Sequence, residues 1–597
     1  MRISKKHLFI LPMLLLVVQL HGQPIQQTSV RDTVGYLILT DSAFIEAAEM
    51  LSDWKMTMGF KTDIMYVSRS SSSETIENQL GSYYSLHPNT KYLAILGDDD
   101  FVKTKNTSIY LNLNPYDSQY HSMVYDQLTD FYYGKLDGDS VPQVHRGRLL
   151  VSNETEAKYV VEKIIAYESN PISAGNIYNN GIHVSFYQST TKNHITHEHY
   201  RFVRTSEEIK EALQQIGRTV KRIYSNIPIG IAYWNNDLYC SDTANISEMI
   251  GDTLFIMPDS IVIQNSLREG ASYILYVDHG DDIGWSHPVF NTSSFPSNLN
   301  NKWPVYFNCC CKTGKFSSSN CFAKSILTCP NGGIASISAS NISIEGFMSS
   351  LFEGIFDGIW PNQGLEPVYG KDIWNVGVPP HTHTPIYRLG DLLDYGLSFM
   401  KAQMRNAYAG DSAGTPLTGT EINDFISMNK YMHEIYQLFG DPALEIRTQT
   451  PEVVSAPSVC QFTDNILLVK TTDGYSRVVL YDLAQNDVQT FYGTKILYNF
   501  DTDNLLRLCI VRSNAKPYIK EYRKSQIDMF IQNEAIDGMH KFIGKEIKVG
   551  QDVTDDKMHG NVYFNTHSST SLSAAKVKLS KGVIIPHGSS IRINKNS

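Results

Sequence analysis

VGYLILTDSAFIEAAEMLSDWKMTMGFKTDIMYV, residues 34–67, reads as a buried strand, a helix that ends at Gly59 and a second strand. VGYLILT has almost no polar side, as expected of a strand covered on both faces. SETIENQLGSYYSLH (73–87) is a second helix and KYLAILGDDD (91–100) a third strand, closed by carboxylates. Strand, helix, strand, helix, strand is the order of a parallel sheet with helices on both faces.

The same grammar resumes after residue 180. GIHVSFY (181–187), TVKRIYS (219–225), ASYILYVDHG (271–280), WPVYFNCCC (303–311) and GGIASISAS (332–340) are strand-like, separated by helical stretches such as TSEEIKEALQQIG (205–217) and NCFAKSILT (320–328). Two tandem sheets or one long one fit equally well, and either places ligands at the carboxyl ends of the strands. DHG and CCCKTG both lie there. Beyond residue 450, short alternating runs (NILLVKTT, SRVVLYDL, NLLRLCIV) predict a β-sandwich over 451–525. Residues 526–597 are again strand-like and glycine-punctuated, a compact β module without a repeat long enough to read as a solenoid. The expected division is a signal peptide (1–22), an N-terminal α/β subdomain (23–180), a catalytic subdomain (181–450), the sandwich and the C-terminal module.

The first residues, MRISKKHLFILPMLLLVVQLHGQ, carry Arg2, Lys5 and Lys6 before an apolar run from Leu8 to Leu20, the pattern of a secretory signal cleaved near Gly22. The mature chain is therefore expected to be secreted or held at a bacterial cell surface. A net charge of -10, with 61 acidic against 51 basic side chains, argues against a nucleic-acid partner. Five of the eight cysteines fall within 309–329, three of them adjacent, and adjacent cysteines pair only under strain. At least one free thiol is expected among Cys309, Cys310 and Cys311.

A thiol attacks a carbonyl as thiolate, and an imidazole beside it can take the proton and return it to the leaving amine. His279 ends one predicted strand and Cys311 the next buried one. Gly280, lacking a Cβ, lets its amide approach a substrate, so the Gly280 and Cys311 amides are the expected oxyanion donors. As plain packing, Cys311 would be a small buried hydrophobe and His279 a satisfied strand-end histidine; their pairing with Gly280 favours catalysis. Cys309 and Cys310 read as packing. His194, His197, His199, His381 and His383 lack the i, i+4 spacing of a helical zinc site. Asp278 and Asp281 read as exposed loop carboxylates.

YVDHGDDIGW (276–285), CKTGKF (311–316) and CFAKSI (321–326) resemble the gingipain family of cysteine peptidases, peptidase family C25. SDWKMTMGFKTDIMYV, KYLAILGDDD, HRGRLLVSNETEAKYVVEKIIAYE and YQLFGDPALEIRT follow in the family's order, so the resemblance covers about residues 34–450. It implies a caspase-like α/β catalytic domain behind an N-terminal α/β subdomain, an immunoglobulin-like module after it, and Cys311 with His279 as the catalytic pair. It further implies substrate contacts from Trp285, His194 and Phe347, no cofactor for catalysis, and structural calcium for which Asp98, Asp99, Asp130, Asp137 and Asp139 are candidates. The family's aspartate for a substrate guanidinium has no counterpart in QSTTKNHITHEHYRF (188–202), which offers His194 instead, and its acidic orienting residue falls at Tyr187 or Gln188.

The expected function is thus an exported, monomeric cysteine endopeptidase acting on proteins or peptides, with its C-terminal β modules available for surface association. The alternatives are a processing peptidase or transpeptidase of the type IX secretion kind, and a catalytically silent adhesion protein on the same fold.

Overall fold

The computed structural model describes residues 29–595 apart from 31–33, 113–122, 137–141, 193–194, 228–231, 234–253, 257–258, 319, 366–382, 408–418, 464 and 501–503. The expected signal peptide and Cys240 lie outside the described residues. Among these, no helix is long and apolar enough to cross a membrane.

The N-terminal strands are Gly35–Thr40 (β1), Lys61–Tyr66 (β2), Thr90–Leu96 (β3) and His145–Leu149 (β4), with helices Ile45–Thr57 (α1), Ser73–Leu86 (α2) and Glu154–Ser169 (α3). β1 explains the apolar reading directly. Tyr36 and Ile38 face the core under α1 and α3, whereas Leu37 and Leu39 face the one built with Ile76 and Leu80 of α2. Side chains alternate across a strand, so a strand between two helical layers needs apolar residues throughout.

The second half supplies strands Asn180–Phe186 (β5), Thr219–Ser225 (β6), Leu254–Ile256 (β7), Tyr273–Val277 (β8), Val305–Cys309 (β9), Ala335–Ala339 (β10) and Tyr436–Phe439 (β11). Its helices are Phe202–Gln215 (α4), Ser260–Glu269 (α5), Phe322–Thr328 (α6), Phe347–Ile359 (α7), Leu389–Ala407 (α8) and Gly419–Ile435 (α9). One eleven-stranded sheet results, in the order β7-β6-β5-β8-β9-β10-β11-β4-β3-β1-β2. Of the two arrangements the sequence left open, the single long sheet is the one formed. β11 joins its halves, running antiparallel to β10 and meeting β4 at Phe439 and Arg148.

After residue 450 the chain forms two layers. Asp487–Tyr492, Arg477–Asp482, Leu506–Val511 and Tyr518–Tyr522 pair antiparallel in one sheet; Lys495–Asn499, Ile466–Lys470 and Ser458–Phe462 do so in the other. Leu467, Val469, Val478, Leu480, Leu508 and Ile510 fill the space between them. Asp528–Ile531 then adds in parallel to Ser458–Phe462 and begins a different architecture.

There the structure corrects the sequence reading. Asp528–Ile531, Glu546–Val549 and Lys576–Leu579 stack in parallel on one face, Glu534–Ile536, Val562–Phe564 and Val583–Ile584 on a second, and Met539–Ile543, Ser569–Ala574 and Ser590–Lys595 on a third. This is a short three-sided parallel coil around Ile531, Ile547, Phe564 and Leu572, hence a solenoid. Its period is hidden because the middle turn carries the excursion 550–561.

Candidate active site

β8 and β9 are neighbours with Val277 opposite Cys309, so the residues beyond them leave the sheet side by side. Those residues include His279 and Cys311. Gly280 packs against the cysteine triplet so closely that an added Cβ would lie 2.8 Å from Cys310 Sγ and 3.0 Å from the Cys311 carbonyl oxygen.

The turn that carries Cys311 is sharply built. Lys312 has φ +57°, a left-handed conformation uncommon for a side chain with a Cβ. Its amide donates to the Asn341 carbonyl at 2.9 Å, that of Thr313 to Cys311 at 2.8 Å and that of Gly314 to Ala339 at 2.9 Å. Among the described residues the amide of Cys311 itself donates to no acceptor, which leaves it available to an oxyanion. The seven described cysteines are all free thiols; Cys309 and Cys310 are fully buried and Cys311 is partly exposed.

Cys311 Sγ rests on Ser343, accepting from its amide at 3.3 Å and lying 3.5 Å from its hydroxyl. The 340–343 loop is braced from outside, since Tyr431 donates to the Ile342 carbonyl at 2.7 Å and Asn341 to that of Asp126 at 2.9 Å. Burial pushes the Cys311 thiol up; the Ser343 contacts and Lys312 pull it back only in part.

His279 has a different set of neighbours. Its Nε2 lies 2.5 Å from Gln188 Oε1, and its ring meets those of Phe202 and Tyr200 edge to face at 5.2 and 5.7 Å. An amide oxygen at Nε2 assigns the proton to that nitrogen and leaves Nδ1 as the basic lone pair. Burial holds the imidazole below its ordinary pKa, and the nearby His287 and His199 act the same way against Asp278. Among the described residues no hydrogen bond links His279 to Cys311. Their opposite shifts favour an uncharged imidazole and an uncharged thiol.

Asp278 is not the exposed loop carboxylate expected from the sequence. It is 1% exposed, accepts from Tyr276 at 2.7 Å and faces His287 Nδ1 at 3.1 Å, whose pKa it raises. Asp281 is exposed as read.

Two expected substrate contacts are also corrected. Trp285 is 3% exposed, stacked on Tyr276 at 4.4 Å and bonded through Nε1 to Asn308 at 2.9 Å, so it is a core ring beneath the site. Phe347 is 2% exposed at the start of α7, where it packs on Phe425. His194 lies outside the described residues, as do Asp137, Asp139 and His381.

The calcium candidates that are described face protein cations. Asp130 holds Arg148 through two bonds of 2.7 and 2.8 Å, and Asp98 faces Lys324 at 3.5 Å and the Ser152 hydroxyl. Asp99 accepts from Thr104 and faces Lys103 at 3.3 Å. Carboxylates neutralised in this way do not fit an oxygen cage for calcium.

Ser343, Tyr200 and Phe202 were missed as site residues. Each touches Cys311 or His279 from another element, and no local sequence pattern marks such a contact.

A histidine and a cysteine that follow neighbouring parallel strands at one sheet edge are the arrangement that Cys-His acyl transfer requires. The model of peptidase family C25 matches residues 29–447, and the chain belongs to that family. Lys-gingipain W83 of Porphyromonas gingivalis is 21% identical over 295 residues, which are 47% of this chain and 14% of that protein. An uncharacterized protein of Archaeoglobus fulgidus is 30% identical over 153 residues, 24% of this chain and 37% of that one. The chain thus spans a minor part of the length of these curated relatives. Among solved structures, the Arg specific cysteine proteinase gingipain R superposes with a TM-score of 0.61 at 16% identity, covering 84% of this chain and 100% of that one. At this identity the likeness is one of fold.

Proposed function

We propose that the chain is an exported cysteine endopeptidase in which Cys311 is the nucleophile and His279 the general base and acid. The observation that carries the reading is the register of β8 and β9, which sends His279 and Cys311 off the sheet together with the Nδ1 lone pair of His279 unengaged. As the sulfur attacks the scissile carbonyl, Nδ1 takes the thiol proton, and the C–S bond forms while the carbonyl pair moves onto oxygen. The amides of Cys311 and Gly280 receive that oxyanion. Collapse expels the amine, which takes the proton from the imidazolium, and leaves a thioester. Water, deprotonated by the same imidazole, then releases the acid and restores the thiol.

Cys311 Sγ rests on Ser343, so rotation about its Cα–Cβ bond is part of the attack. Catalytic contacts commonly tighten only once substrate is bound. Gln188 takes the orienting place that an amide side chain also fills in Cys-His-Asn enzymes. Protein or peptide substrates follow from the chemistry, and export from the basic-then-apolar N-terminus.

The test is cleavage of unfolded casein and a peptide library by wild type, Cys311→Ala and His279→Ala, with cut sites read by mass spectrometry. Activity lost in both variants while their circular dichroism is unchanged supports the reading. A narrow set of cut sites would favour a processing peptidase. Equal inertness of all three proteins overturns it in favour of a silent scaffold.

A further inference from the structure

Where the α/β sheet meets the sandwich lies a small, partly open cavity of about 30 Å³, lined by Arg388, Arg447, Arg477 and Arg512 with Glu168 and Glu445. The two carboxylates do not balance the four guanidiniums. Glu168 is committed elsewhere, to Lys55 Nζ at 2.8 Å and Trp54 Nε1 at 2.6 Å. Glu445 lies 3.6 Å from Arg388, and Arg512 pairs outward with Glu452 and with Asp473 at 3.8 Å.

Arg447 and Arg477 remain without a carboxylate partner among the described residues. Arg447, only 7% exposed, turns its terminal nitrogens to the carbonyls of Glu168, Tyr167 and Ala515 at 3.0, 3.4 and 3.3 Å, and its Nε is buried with no acceptor. The Arg477 side chain makes no hydrogen bond among the described residues, and its Nε is likewise buried. Its guanidinium lies 5.4 Å from the centre of the Phe60 ring, which Arg388 also approaches at 5.1 Å. Burial first, and Arg388 second, hold the Arg477 pKa below its ordinary value.

Arginine keeps its proton in proteins, so these buried charges call for an anion. We infer that the cavity is a binding site for a small oxyanion of the carboxylate or phosphate type, held by Arg477 and Arg447. Guanidinium forks match two oxygens of such a group at once. Arg388 and Arg447 come from the catalytic half, and Arg477 and Arg512 from the sandwich. A bound anion therefore ties the two together. The inference is independent of peptidase activity.

The experiment titrates the full chain with sodium phosphate and, in a second arm, sodium acetate, by calorimetry and by thermal melting against sodium chloride of equal ionic strength. The expected result is saturable binding of about one anion per chain with a rise in Tm beyond that from chloride; the arm with the lower Kd identifies phosphate or carboxylate. Arg477→Met should weaken binding at least tenfold and, having lost an unmatched charge, melt no lower than wild type without anion. Arg477→Lys, which keeps charge but not the fork, should fall between. If neither anion exceeds chloride with wild type, or if Arg477→Met binds as wild type does, the site is disproved. Should Arg477→Met fail to fold, the wild-type comparison with chloride decides alone.

Discussion

His279 Nε2 and Gln188 Oε1 lie 2.5 Å apart, each just beyond the end of one of two neighbouring parallel strands, β8 and β5. That bond fixes the ring and the tautomer in which Nδ1 is the base. Gln188→Leu should lower kcat at least about tenfold, or about 1.4 kcal/mol of activation free energy, with KM little changed. Gln188→Glu places a negative charge beside the ring, favours imidazolium and should shift the acid limb of the pH–rate profile upward. A Gln188→Leu enzyme with unchanged kcat would mean that the contact does not orient the base.

The thiol and imidazole are shifted away from each other: burial lowers His279 from 6.5 and raises Cys311 from 9.0. Lowering a base's pKa keeps it neutral at more acid pH, so kcat/KM should hold to below the usual histidine range before it falls. Raising a thiol's pKa delays its ionisation, so alkylation of Cys311 by iodoacetamide should still be climbing at pH 9. An alkylation plateau near neutrality would indicate a preformed thiolate–imidazolium pair and refute the neutral one.

The sheet was legible because β1, β3, β8 and β9 are apolar on both faces, a pattern that only a doubly covered strand demands. The placement of His279 and Cys311, the candidate pair, after neighbouring strands was legible for the same reason, since they end such runs. Trp285 and Phe347 misled because an aromatic beside a catalytic motif looks the same in sequence whether it lines a cleft or, with Tyr276 and Phe425, fills a core. Asp278 misled because its partner His287 acts through folding, and the solenoid because unequal turns erase its period. The contact of Ser343 with Cys311 joins two loops that follow different strands, and nothing local encodes it.

Gly280 supplies a further check. A Cβ there would meet Cys310 Sγ at 2.8 Å and the Cys311 carbonyl oxygen at 3.0 Å, and neither is the end of a flexible chain. Gly280→Ala must push the nucleophile's turn away from the histidine strand. Overpacking of this kind costs about 1–3 kcal/mol of stability, and we expect kcat to fall by a larger factor than the loss of folded protein explains. Stopped-time assays alongside urea titrations separate the two. Full activity in a folded Gly280→Ala protein would show that the turn can yield without consequence.

Lys312, at φ +57°, holds the turn after Cys311 in a conformation that glycine adopts freely. Lys312→Gly removes that penalty, on the order of 1 kcal/mol, and also a positive charge that draws the Cys311 pKa down. The variant should therefore be no less stable than wild type yet alkylate more slowly at fixed pH. Faster alkylation would contradict the assigned electrostatic role.

Lys55 of α1 is fully buried between Glu168 at 2.8 Å and Asp441, with Tyr36 donating to Asp441 at 2.9 Å. One ammonium thus ties α1, the end of α3 and the segment after β11. Lys55→Met leaves buried carboxylates without their cation, at a cost of about 3–5 kcal/mol. The pH dependence identifies the cause. Burial already holds the Glu168 carboxyl above its ordinary range, and loss of Lys55 raises it further, so the native variant binds a proton that the unfolded chain releases. Stability of Lys55→Met should then recover as pH falls from 7 toward 5, and Lys55→Met with Glu168→Gln should be more stable at pH 7 than Lys55→Met alone. Urea unfolding at both pH values measures this, and a loss that is the same at both would place the cost in packing rather than in charge.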